Sequence, residues 1–142
     1  MFLVKKKAEH ADAEGVAQQV AAEAERLYRS GKMHCAEAVL ASIKNRFAPE
    51  LGDELVSLAS GFGGGSGSGC ICGAVSGGTM ALGLVLAGDR KGASARTREL
   101  HEWFKSEYGA TCCKILTAQG KSGCLGLTAN VAGKVARLLQ DK

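Results

Sequence analysis

The chain has no C-x-x-C pair, although it carries six cysteines in 142 residues, at positions 35, 70, 72, 112, 113 and 124. That absence removes the usual frame of structural zinc and of a thioredoxin-type turn, and without C-x-x-C-H there is no covalent haem attachment. No Asp, Glu, Lys or Arg occurs from Val56 to Gly88, so Cys70 and Cys72 lie in a glycine-lined, half-buried setting. Aromatic residues are scarce, at 5%, and none interleaves a basic stripe. The net charge of +4 therefore reads as solvated helix faces, and nucleic acid is not expected as a partner. G-x-G-x-x-G fails in every register from Gly61 to Gly69. Gly120-Lys121-Ser122 resembles the end of a P-loop, but Ile115 stands where its first glycine belongs, which argues against nucleotides. Glu99, Glu102 and Glu107 read as exposed helix residues, so no general acid/base pair stands out and enzymatic turnover is left open.

Targeting features are also few. Met1-Phe2-Leu3-Val4-Lys5-Lys6-Lys7 puts its charge after the apolar residues, the reverse of a secretory signal. Cys70 to Ala87 is uncharged, but its Gly, Ser and Thr make it marginal for a hydrocarbon core of about 30 Å. The expectation is a cytoplasmic protein with reduced thiols and no membrane insertion. It would form one domain over 1–142, with 1–7 a disordered tail. A chain of this size buries roughly two-thirds of its unfolded surface without staples, so the cysteines are not needed for folding.

No alternating strand pattern appears, and the expected class is all-α: a bundle of five to six helices with a Gly-rich loop before a buried helix. Val16, Val20, Ala24, Leu27 and Tyr28 recur at helical spacing over about Ala8 to Ser30. Cys35, Val39, Ile43 and Phe47 share one face of a second helix, which Pro49 ends; this makes Cys35 the core-facing thiol. Gly61 to Gly69, GFGGGSGSG, is expected to be a loop because ordered glycine loses so much backbone entropy. Gly73 to Ala87 reads as a buried helix whose Gly73 and Gly77 admit another backbone, or a second copy of the chain. Leu100, Trp103, Phe104 and Tyr108 mark a further helix from about Ser94, which Gly109 stops. Thr111 to Leu116 predicts one helical turn. Thr128 is placed as the cap of the last helix, with Cys124 in the connection before it.

The thiols carry the chemistry. A thiolate is the nucleophile, electron donor and soft-metal ligand, and a helix N-terminus favours it. Cys70 and Cys72 are expected at such an end, with amides of Gly63, Gly64, Gly65 and Gly73 free to donate to thiolate or cluster sulfur. His34, beside Cys35, is a candidate base or ligand, against the plainer reading of a solvated histidine.

Five ordered features complete the pattern: H-C-A-E-A-V-L at Cys35, F-G-G-G from Phe62, C-G-A-V-S-G from Cys72, G-A-T-C-C-K-I-L from Gly109, and Cys124. Together they resemble the C-GCAxxG-C-C family, to which redox activity is attributed. The resemblance implies an all-helical domain whose hallmark thiols are Cys35, Cys72, Cys113 in preference to Cys112, and Cys124. It also implies electron transfer, because a related domain is joined to a multihaem cytochrome where an iron–sulfur centre has been suggested. Cys70 and Cys112 are additions to that pattern and are taken as accessory.

Two mechanisms fit. In one, Cys35, Cys72, Cys113 and Cys124 hold an iron–sulfur cluster that passes single electrons to an unknown redox partner protein. In the other, no cofactor is needed: pairs of thiols cycle between dithiol and disulfide, with Cys72 attacking and a neighbour resolving. Binding of soft metals such as Zn or Cu without turnover is the alternative from another class, and a structural helical protein with inert thiols is a third.

Overall fold

The computed structural model describes the backbone of residues 2–141 and the side chains of residues 11–141. Six α-helices and no strand occur among the described residues: α1 (Phe2–Arg29), α2 (Cys35–Phe47), α3 (Gly73–Val85), α4 (Arg90–Tyr108), α5 (Cys113–Leu116) and α6 (Cys124–Gln140). The all-α expectation therefore holds. Helix α1 starts earlier than the Ala8 read from its periodicity, and the side chains of the tail expected at 1–7 lie outside the described residues.

Helix α3 lies at the centre, packed on α2, α4 and α6, while α1 closes the bundle against α6 and α2. Its interior position follows from composition, since Ala74, Val75, Ala81 and Leu82 are wholly buried and no charge interrupts the helix. Helix α4 contributes the fully buried Leu100 and Phe104, each worth roughly 2–3 kcal/mol of burial. Asp89 caps α4 by accepting from Gly92 N–H at 2.9 Å, so the helix begins at Arg90, ahead of Ser94.

Between α2 and α3 the Gly-rich stretch is wound more tightly than a plain loop. A 3₁₀ segment runs over Asp53–Phe62, and a π-type turn over Gly65–Gly69. Gly64, Gly65, Ser66 and Gly67 all hold φ between 58° and 68°. Glycine takes this left-handed backbone at little cost, which explains why an open loop is not required; Ser66 is the one residue that bears strain there.

The close-approach role of the α3 glycines is realised within the chain. A Cβ on Gly77 would collide with the backbone of Ala36, so α2 lies directly on α3 and the face available for self-association is used inside the domain. Thr128 does not cap α6. It lies within the helix, fully buried, and the first helical residue is Cys124. Val131, Val135 and Leu138 drive this packing against α1 to α4, and Gly126 does not interrupt the helix.

Candidate functional site

All four hallmark thiols lie at the start of a helix. Cys35, Cys113 and Cys124 are the first residues of α2, α5 and α6, and Cys72 is the residue before α3. These starts converge because each is tied to the glycine segment or to its neighbour. The Cys72 N–H donates to Thr111 O at 2.6 Å, holding the approach to α5 beside the C-G-A box. The positions a Cβ would take on Gly63 and Gly65 lie 3.2 Å from His34 Cβ and 2.7 Å from Cys113 Cβ, so bare α-carbons there let α2 and α5 come close.

The result is one cavity of about 400 Å³ bordered by Cys35, Cys72, Cys113 and Cys124 together. Gly64 and Gly73 also border it, as do Tyr28, His34, Tyr108, Lys121 and Thr128. Cys70 is exposed and outside it. Cys112 points away, its Sγ donating to Gly69 O at 3.1 Å. All six cysteines are free thiols. His34 is exposed at the rim, and its N–H donates to Glu37 Oε1 at 3.2 Å in a capping arrangement.

Burial governs the electrostatics. Cys72 is 6% exposed, making it the core thiol, whereas Cys35 is half-buried at the cavity wall. Desolvation pushes the Cys72 thiol up to about 11, against the favourable Ala74 and Val75 amides. The helix end therefore acts as anticipated but is outweighed, because removing a thiolate from water costs more than two amides return. Cys72 is consequently a poor attacking nucleophile. Burial also raises Cys35, partly opposed by the Ala36 amide. The backbone groups acting on these thiols thus come from helix starts and not from Gly63 to Gly65. Cys124 is raised by burial and by the nearby Cys113 charge, while Lys121 and a hydrogen bond from the Tyr28 hydroxyl favour its thiolate.

An ion or cluster needs several donors about one point. The four sulfurs are chemically suited to soft metals, but among the described residues no group of three His, Cys, Asp or Glu side chains is placed to hold an ion. In this arrangement the thiols ring a cavity and do not form a ligand set.

Tyr28, Tyr108, Lys121 and Thr128 were missed as site residues. From the sequence, Tyr28 and Tyr108 read as inward helix positions only. Lys121 and Thr128 carry a signal in their spacing from Cys124, three before and four after, which matters once Cys124 is known to start a helix.

The fold and cavity define a small all-α domain with four thiols gathered on one internal surface. The chain belongs to the C-GCAxxG-C-C family, described as "putative redox-active protein", whose pattern it matches over residues 33–138. No curated protein and no solved structure matches it significantly. No described helix is long and apolar enough to cross a membrane.

Proposed function

We propose that this is a cytoplasmic dithiol–disulfide electron carrier in which Cys113 and Cys124 form the working pair and Cys35 and Cys72 an inner pair. The observation that carries this reading is the shared cavity, which is bordered by thiols from four separate segments. Cys124 takes the attacking role because it is less deeply buried than Cys72, and Lys121 and Tyr28 offset part of the burial that raises its thiol. It attacks a sulfur of an oxidised partner protein, forming a mixed disulfide and releasing one partner thiolate. Cys113 then attacks the Cys124 sulfur, closing the Cys113–Cys124 disulfide and releasing the partner as a dithiol. Two protein thiols are oxidised and one partner disulfide is reduced, so electrons and atoms balance.

The inner pair is adjacent, since Cys35 Sγ lies against Gly73, the neighbour of Cys72, and a Cys35 thiolate would raise Cys72 further. Both inner thiols lack the Lys121 charge that partly offsets burial at Cys124, which suits them to follow the outer pair by exchange. Cys70 and Cys112 are accessory.

The test is anaerobic purification, then metal analysis and thiol titration on one sample, then peptide mapping after stepwise oxidation. Metal-free protein that loses thiols in pairs, Cys113 with Cys124 first, supports the carrier. Stoichiometric iron with visible charge-transfer bands, lost in Cys113→Ser, would replace it with a cluster protein.

A further inference from the structure

We propose that the four-thiol cavity binds a small neutral quinone, which the reduced thiols convert to the hydroquinone. This deepens the dithiol reading above and rests on it.

The first observation is size and lining. A cavity of about 400 Å³ falls in the range of sites that enclose a ring-bearing small molecule, and exchange between two thiols needs no such space. Its wall is mainly apolar, with Leu116, Leu127, Tyr28 and Tyr108 among its lining, and no Asp or Glu borders it among the described residues. A small peptide disulfide would bring ammonium and carboxylate groups into this space with no acidic partner for the former. A neutral carbonyl compound carries no such penalty.

The second observation is independent of the thiols. Thr128 is 0% exposed and borders the cavity, and its hydroxyl has no hydrogen-bond partner among the described residues. A threonine within a helix usually donates back to the carbonyl four residues earlier. Thr79 and Thr117 do so here, to Val75 O at 2.9 Å and Cys113 O at 2.7 Å. Thr128 does not, although the corresponding residue is Cys124. One turn along α6 from that thiol, its donor is free for a carbonyl oxygen of a molecule in the cavity.

The chemistry balances without a further reagent. The Cys124 thiolate adds to a ring carbon, forming a C–S bond. Cys113 then attacks the Cys124 sulfur, so that the S–S bond forms as the C–S bond breaks and its electron pair passes to the ring. The two thiol protons complete the two hydroxyls. Overall, two S–H bonds are lost, one disulfide is gained, and one quinone takes up two electrons and two protons.

The experiment uses the full chain, reduced and freed of reductant under argon, with duroquinone, whose ring carbons carry no hydrogen to lose, so that thiol addition stays reversible and the exposed Cys70 is not permanently arylated. Hydroxyethyl disulfide, an uncharged acyclic disulfide, is offered to the same preparation in parallel. The expected result is saturable quinone reduction with two thiols lost per quinone. Thr128→Val should raise the apparent KM about fivefold, the loss of one hydrogen bond, with kcat less affected, and Thr128→Ser should restore it. Non-saturable reduction, or an unchanged KM in Thr128→Val, overturns the quinone site if hydroxyethyl disulfide still oxidises the thiols in pairs. Thiols that pair with neither oxidant overturn the dithiol reading as well.

Discussion

The Cys35 sulfur rests on the bare α-carbon of Gly73: a Cβ there would lie 2.5 Å from Cys35 Sγ and 2.8 Å from Phe62 O. The glycine of the C-G-A box is thus a steric requirement of the first hallmark cysteine, which comes from a different helix. Gly73→Ala should gain up to about 1 kcal/mol in helix propensity. It should lose more to overpacking, roughly 1–3 kcal/mol, because the Phe62 carbonyl is backbone and cannot turn aside. Urea denaturation should show a lower midpoint at unchanged slope, with faster alkylation of Cys35.

Stability should fall in alkali. Below the ordinary thiol range both folded and unfolded chains carry the Cys72 proton, and the full stability is present. Above it the unfolded thiol ionises while the folded one keeps its proton until about 11. The contribution is therefore lost as pH rises from about 9 to about 11, on the order of 2 kcal/mol. Cys35, Cys124 and Tyr28 are also raised and add in the same direction. Anaerobic denaturation across this range should give a steeper decline for the wild type than for Cys72→Ala.

Lys121 favours the Cys124 thiolate from an exposed position. Lys121→Gln should slow alkylation of Cys124 near neutral pH by about two- to threefold at low salt. At about 1 M salt the difference should vanish, since screening leaves little of an exposed charge interaction. Peptide mapping of iodoacetamide-treated protein reads the rate at each thiol, with Cys70 expected first and Cys72 last.

A buried hydroxyl without a partner opposes folding of the ligand-free chain. Thr128→Val keeps the shape and removes that group, so it should leave stability unchanged or raise it by about 1–2 kcal/mol. A thermal or urea transition of the variant at or above that of the wild type is the expected outcome. A loss above about 1 kcal/mol would mean the hydroxyl is satisfied in solution.

Much of the architecture was legible because helical periodicity and terminators are local signals. Val20 and Ala24 are buried as their spacing implies, α2 ends at Phe47 just before Pro49, and Gly109 closes α4 in left-handed backbone at φ 82°. What failed did so where tertiary packing overrode a local preference. Thr128 looks like a cap by residue type, yet α6 runs through it because its neighbours bury against four other helices. Cys72 looks like an activated thiol by position, yet the surrounding core withdraws it from water. Tyr28 carries no local mark of a role beside Cys124, from which it is separated by most of the chain.

By itself the sequence determined the helical class, the family and the cysteine spacing of its pattern, since spacing, composition and motif order are properties of the chain alone. Only the tertiary structure decided that four thiols border one apolar cavity, that Cys72 is the most deeply buried of them, and that the Thr128 hydroxyl is buried without a partner among the described residues. Proximity between distant segments and withdrawal from water depend on how helices pack. Both proton affinity and the cost of an unpaired hydroxyl are set by that packing, not by residue identity.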